Sequence, residues 1–84
     1  MKYVLSYDLN KPGQGYESLY AELKRFNASR ILQSQWVFNR INTNASGLRD
    51  HFQRLIDSND RLLICSLDSG DWASYNLVVN PNNI

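Results

Sequence analysis

Hydrophobic side chains recur with two different periods along this chain, and the order of those periods constrains the fold most strongly. Over residues 2–9 side chains such as Leu5 and Tyr7 alternate with polar ones, which predicts a strand. Pro12 and two glycines then interrupt the pattern. Between Tyr16 and Phe26 the apolar residues recur at three- and four-residue steps, which predicts a helix with one buried face.

The second half of the chain repeats this succession of periods. Residues 30–34 and 36–41 predict two strands, and an apolar stripe that includes Phe52 predicts a second helix. Residues 61–67 are apolar on both parities, so this strand is expected to be covered on both faces. Leu63 is therefore predicted to be buried.

The elements follow the order β-α-β-β-α-β, with one more strand predicted at residues 72–79 and a loose tail at residues 80–84. Two strand–helix–strand units with right-handed crossovers fold into one antiparallel sheet that carries both helices on one face. We therefore expect one α+β domain over residues 1–84, a ferredoxin-like βαββαβ sandwich with an additional C-terminal strand. The other sheet face stays open in this arrangement, and a second copy of the chain is expected to cover it.

Size and composition limit the classes of function. A domain of 84 residues buries only about 60–65% of its unfolded surface, and association is a common source of extra stability. The net charge of +1 means that any surface for nucleic acid must be local. One cysteine, Cys65, excludes an internal disulfide and zinc sites built on several cysteines. No signal-peptide pattern or membrane-spanning stretch is found, which predicts a cytoplasmic protein.

Asp8, at the end of the first predicted strand, has two interpretations. An aspartate just before Asn10 and Pro12 is typical of a turn, where its side chain bonds to nearby backbone. Its carboxylate is also a ligand that Mg²⁺ prefers, and a two-fold axis would bring two copies together. Ser6 shares the parity of Asp8, so its hydroxyl either orients a metal-bound water or accommodates a subunit contact.

The remaining candidate residues each have a structural interpretation beside the functional one. His51 is the only histidine, and no nucleophile or metal-ligating residue lies at a spacing that would pair with it in a site. It is therefore predicted to lie on a helix surface. Cys65 is predicted to be an inert core residue. Lys24, Arg25 and Arg30 either contact phosphates or simply complement the negative end of a helix.

Three short segments carry a family resemblance. They are Ser6-Tyr7-Asp8-Leu9, the stretch from Arg30 to Phe38, and Asp60-Arg61-Leu62-Leu63-Ile64. Together they resemble the small dimeric CRISPR-associated endoribonuclease-like family, the spacer-adaptation subunit, and the related VapD-like virulence-associated ribonucleases. The similarity covers nearly the whole chain in length and element order.

The resemblance implies a homodimer whose last strand adds to the partner's sheet, and a role in antiviral defence or a toxin system. Asp8 of each subunit would hold a shared Mg²⁺ or Mn²⁺ across the dimer axis and act in the cleavage of RNA or DNA. The supporting residues would be Ser6, Tyr7 and Ser34, and the interface residues would be Trp72, Tyr75 and Leu77. The phosphate contacts would come from Lys11, Lys24, Arg25 and Arg30.

One feature of the sequence departs from the family pattern. Family members often carry arginines shortly after the aspartate, whereas here that loop has one lysine, Lys11, and no arginine. The alternative function is therefore a non-catalytic dimeric module that bridges protein or nucleic-acid partners. A neighbouring integrase gene would indicate spacer adaptation with an integrase-like partner, a neighbouring antitoxin gene would indicate a toxin with an antitoxin partner, and the absence of both would leave the role open.

Overall fold

The computed structural model describes residues 1–10 and 16–84, so Lys11 and its predicted phosphate contact lie outside the described residues. Within that part of the chain the elements are β1 (Lys2–Asp8), α1 (Glu17–Arg25), β2 (Ser29–Leu32), β3 (Gln35–Asn39), α2 (Ala45–Gln53), β4 (Arg61–Ser66) and a 3₁₀ helix (Pro81–Asn83). The predicted α+β class, with a four-stranded antiparallel sheet and two helices, is confirmed for the described residues.

β1 lies inside the sheet and pairs on both sides. The strand order is β2-β3-β1-β4, and each neighbouring pair is antiparallel. Leu5 lies opposite Trp36 on β3 and Ile64 on β4. This arrangement is compatible with a ferredoxin-like fold and leaves β2 and β4 at the two sheet edges.

The main core fills the space between one face of the sheet and both helices. Alternate side chains of β1 point into it, as the period of two predicts. Its buried members are Tyr3, Leu5, Tyr7, Leu19, Leu23, Phe26, Trp36, Phe38, Leu48 and Phe52. Burying each large apolar side chain contributes about 1.5–3 kcal/mol, so this cluster holds α1 and α2 on the sheet.

Both helices have ends that their sequences explain. α1 has Glu17 in its first turn and Lys24 and Arg25 in its last, which suits the helix dipole. Asn27 follows with a φ of 56°, a left-handed conformation that asparagine tolerates better than most residues. α2 begins at Asn44, whose side-chain oxygen accepts the backbone N–H of Gly47 at 2.8 Å. Neither helix in the described ranges is long and apolar enough to cross a membrane.

The predicted strand at residues 72–79 is not formed in the single chain. This segment is irregular, and Asn76 has a φ of 55°, which interrupts an extended backbone. It still lies over the sheet face opposite the helices, where Trp72, Tyr75 and Leu77 help to line a groove of about 440 Å³. Val37 shares the helix-distal side with its partner Val4 and is fully buried.

The tail predicted to be loose at residues 80–84 is instead anchored. The Asn80 side chain accepts the backbone N–H of Asn82 at 3.0 Å and caps the 3₁₀ helix. Pro81 is buried, and its carbonyl oxygen accepts a hydrogen bond from Lys2 Nζ at 2.6 Å. These contacts tie the last residues to the start of β1.

The burial predicted for Leu63 is wrong for the single chain, and so is the core position predicted for Cys65. Leu63 is 59% exposed and Cys65 is exposed, whereas Leu62 and Ile64 pack against the core. The reason is that the odd-numbered side chains of β4 face away from the helices, on the side of the sheet opposite the main core. In β4, apolar residues on both parities therefore include one set that lies on a sheet face without full cover in the single chain.

Two leucine substitutions test this assignment of the faces. Leu23→Ala should cost about 2–5 kcal/mol of unfolding free energy, because Leu23 is fully buried. Leu63→Ala should stay within about 0.5 kcal/mol in dilute protein. Urea unfolding over a range of protein concentrations measures both. A large cost for Leu63→Ala at every concentration would contradict the assignment, whereas a cost that grows with concentration reports burial between copies.

Candidate functional site

Asp8 lies at the end of β1, on the sheet face that the helices do not cover. Its register partner on β4 is Arg61, and the Arg61 Nη1 atom lies 3.6 Å from Asp8 Oδ2. The Asp8 side chain is 69% exposed and the Arg61 side chain is 79% exposed. They share a shallow pocket of about 250 Å³ with Ser6, Tyr7, Leu62 and Leu63.

The Asp8–Arg61 ion pair contributes little to stability, because exposed pairs of this kind give about 0–1 kcal/mol. The strand register holds the two residues side by side, so they stay close to each other whether or not their side chains attract. The Asp8 carboxylate can therefore exchange Arg61 for another cation at little cost in folding free energy.

The donor set for a divalent metal is incomplete in one chain. The residues that the structure describes contain no group of three or more histidines, cysteines or acids that could hold a metal ion. Asp60 lies next to Arg61, but its carboxylate accepts hydrogen bonds from the Asn10 and Asp57 backbone and from the Tyr16 hydroxyl. Mg²⁺ is often held by one or two carboxylates besides water, so the chemistry of the Asp8 carboxylate fits a single metal ligand.

Ser6 is the one predicted supporting residue that shares both the face and the pocket of Asp8. It lies two residues before Asp8, opposite Gln35 on β3 and Leu63 on β4. Its half-buried side chain is compatible with both roles that the sequence leaves open.

Tyr7 points to the helix side and is 8% exposed. Its hydroxyl accepts hydrogen bonds from Trp36 Nε1 at 3.1 Å and Arg30 Nη2 at 3.2 Å, and donates to the Gln33 carbonyl at 3.3 Å. Ser34 lies in the turn between β2 and β3, where its carbonyl accepts the Tyr7 backbone N–H at 3.1 Å. These contacts fix the end of the sheet beside Asp8.

Of the predicted phosphate-binding cations, the three in the described ranges, Lys24, Arg25 and Arg30, are not gathered around Asp8. Arg30 stacks over the Tyr20 and Trp36 rings, with its Cζ 5.6 Å and 5.3 Å from their centroids. Arg25 makes two hydrogen bonds of 2.7 Å with the Glu22 carboxylate, and Lys24 is exposed beside it in the last turn of α1. The structure instead puts Arg61 beside Asp8, which the sequence reasoning missed. The missing information is the β1–β4 register, because only the register brings these distant residues together.

His51 has more contacts than its predicted surface position suggests. Its Nε2 forms a short contact with Glu22 Oε2, and Arg54 Nη2 donates to its Nδ1 at 2.9 Å. These partners assign the proton of the neutral ring to Nε2. The hydrogen bonds from Arg25 are the largest influence on Glu22 and, with the smaller contribution of His51, lower the pKa of Glu22 to about 2 against the opposing effect of burial. The side chains of α1 and α2 are thus joined at their outer surface by a charged network.

No known family model matches this chain. The family resemblance therefore stays a prediction that depends on the three sequence segments. The geometry adds an exposed carboxylate and guanidinium side by side at the end of one of those segments.

The Glu22 network predicts a loss of stability in acid. Because its pKa is lowered in the folded chain, Glu22 stabilises the fold above about pH 4.5, and this contribution disappears as the pH falls towards 2. Glu22→Gln should cost about 1–3 kcal/mol at pH 7 and flatten the decline between these pH values. Thermal unfolding against pH measures this, with Glu17→Gln on the same helix as the control. Parallel acid profiles for wild type and Glu22→Gln would contradict the prediction.

Proposed function

We propose that this chain is a ferredoxin-like homodimer related to the CRISPR-associated and VapD-like ribonucleases, and that it cleaves RNA or DNA with Mg²⁺ or Mn²⁺. The observation that carries the proposal is the exposed Asp8 carboxylate beside the exposed Arg61 guanidinium in one pocket. The fold assignment is supported by the strand order β2-β3-β1-β4 and by a core that takes in both helices on one sheet face.

Each residue of the pocket would have a defined task. Asp8 would hold the metal, which when bound supplies an activated water and a polarised phosphoryl oxygen. Arg61 would turn from Asp8 to the phosphate and neutralise its charge through paired N–H donors, for which a guanidinium is well shaped. Ser6 would hold a water next to Asp8. Arg61 would thereby make the phosphate contact that family members make with arginines in the loop after the aspartate.

The second carboxylate would come from a second copy docked on the open sheet face. Leu63 lies opposite Ser6 on this face and is 59% exposed, and Leu32 is 41% exposed. Trp72, Tyr75 and Leu77 line the adjoining groove and would extend the interface. Covering this face would remove apolar surface from water, which is the usual driving force for association. A cytoplasmic location and an integrase-like or antitoxin partner also belong to this proposal.

Assembly is tested by light scattering. The wild type should have about twice the chain mass of 9.7 kDa, because the open face is buried between copies. Leu63→Asp should shift the mass towards one chain, since it buries an unpaired charge at the centre of that contact. Ile41→Asp is the matched control, because Ile41 is 77% exposed and lies in the β3–α2 connection. A wild type that stays monomeric at high concentration would contradict the homodimer.

The chemistry is tested by Asp8→Asn, which keeps the side-chain size and removes the charge. Cleavage of RNA and DNA with Mg²⁺ or Mn²⁺ should fall by at least about 100-fold, because a metal ligand is lost. Asp50→Asn is a closely matched control: Asp50 is 68% exposed and also paired with an arginine, Arg49, at 3.0 Å. The control should cleave like the wild type. Identical purification of all three proteins excludes a contaminating nuclease.

The second candidate function is a non-catalytic dimeric module that bridges protein or nucleic-acid partners. It is favoured by the net charge of only +1 and by the loop after Asp8, which contains no arginine. Equal cleavage by wild type and Asp8→Asn would defeat the nuclease proposal. The absence of cleavage by the wild type with both metals would do the same, and the bridging module would take its place.

A further inference from the structure

Three arginines from separate parts of the chain contact two adjacent rings, Phe26 and His51, on the helix side of the sheet. Arg25 ends α1, Arg40 follows β3 and Arg54 follows α2; together they are called the arginine cluster here. The Cζ atoms of Arg40 and Arg25 lie 3.8 Å and 5.6 Å from the centroid of the Phe26 ring. The His51 ring stacks on Phe26 at 5.6 Å and accepts a hydrogen bond from Arg54 at 2.9 Å.

The arginine cluster is a local excess of positive charge on a nearly neutral chain. Among the described residues, the acid in contact with it is Glu22, which binds Arg25 and His51. Three guanidiniums against one carboxylate leave two positive charges in excess, whereas the net charge of the whole chain is +1. Such concentration of like charge has to be matched by an anionic partner or by solvent ions.

Arg40 differs from the other two members because its guanidinium is not already hydrogen-bonded to a side chain of the described residues. It stacks through its face on Phe26, which leaves the N–H donors at the edge of the guanidinium plane. Within residues 1–10 and 16–84, no side chain accepts a hydrogen bond from Arg40, and the side chain is half-buried. Stacking restricts its motion in advance, so less conformational entropy is lost when a ligand binds.

We propose that the arginine cluster binds the phosphodiester backbone of a nucleic acid. Guanidiniums bind phosphate through two parallel hydrogen bonds, and backbone contacts of this kind position a nucleic acid without reading its sequence. An acidic protein is the weaker candidate, because protein interfaces draw on an apolar centre. Here Phe26 is only 7% exposed, so the cluster offers guanidinium groups and little apolar surface.

The arginine cluster is separate from the Asp8 pocket. It lies on the helix side, and the Arg40 backbone N–H donates to the Met1 carbonyl at 2.8 Å, next to the start of β1. Asp8 is at the other end of β1 and on the other face, about 20 Å along the strand. The inference rests on the proposed function for the choice of nucleic acid as ligand, but it does not require that Asp8 cleaves.

Fluorescence anisotropy with labelled duplex DNA and hairpin RNA, in EDTA so that no metal-dependent cleavage occurs, tests the inference. Arg40→Gln should weaken binding by about tenfold at low salt, equally for different sequences. It should also reduce the slope of log affinity against log salt by about one. The triple variant Arg25→Gln/Arg40→Gln/Arg54→Gln should reduce that slope by about two, because Glu22 already neutralises one of the three guanidiniums.

Arg49→Gln is the matched control, because Arg49 is 57% exposed, close to the 63% of Arg25, and lies on α2 in a pair with Asp50 outside the cluster. It should bind like the wild type. Circular dichroism with thermal unfolding shows that each variant is folded, and Arg54→Gln gives a second single variant if Arg40→Gln is unstable. Because the assay contains EDTA, it reports binding whether or not the protein cleaves, which separates a failure of cleavage from a failure of this inference.

Equal nucleic-acid binding by the wild type and a folded triple variant would overturn the inference. So would a wild type that binds neither nucleic acid. Binding of a poly-glutamate peptide that depends on the cluster, without binding of DNA or RNA, would assign the surface to an acidic protein instead. Cluster-dependent binding by a protein that cleaves nothing would support the inference and contradict only the nuclease proposal.

Discussion

β1 is hydrogen-bonded to β3 on one side and to β4 on the other, and both layers of the molecule depend on the alternation of its side chains. Tyr3, Leu5 and Tyr7 are buried among the helices, and this burial is the main force that holds α1 and α2 in place. Val4 and Asp8 consequently lie on the other face. The same alternation that builds the core therefore delivers the candidate carboxylate to an exposed surface.

The two faces of the sheet are covered to different extents. The helix side is filled by large apolar and aromatic side chains, and the Glu22–His51 contact connects α1 to α2. In the described part of the chain, the opposite face is covered by the irregular C-terminal segment; Val37 is buried there, whereas Leu63 is exposed. A small domain with one filled and one partly filled face is well suited to association, because the remaining apolar area is concentrated on one side.

The fold was largely predictable, and the candidate site was predictable only in part. The periods of two and 3.6 identify β1 to β4 and both helices, because burial of one face imposes these periods on the sequence. The extra strand was predicted from composition alone, and a left-handed Asn76 interrupts it. Asp8 could be found because it ends a strand. Arg61 could not, because its nearness to Asp8 depends on the pairing of two strands far apart in the chain.

The sequence by itself determined the class and order of the elements and the position of Asp8 at the end of β1. It did so because these properties depend on local periodicity and on neighbouring residues. Only the tertiary structure decided which apolar strand residues are covered, since β4 has similar side chains on both parities and the helices cover only one face of the sheet. Tertiary packing also decided that Arg25, Arg40 and Arg54 meet around Phe26 and His51, because they belong to separate parts of the chain that contact one another only after the helices dock on the sheet.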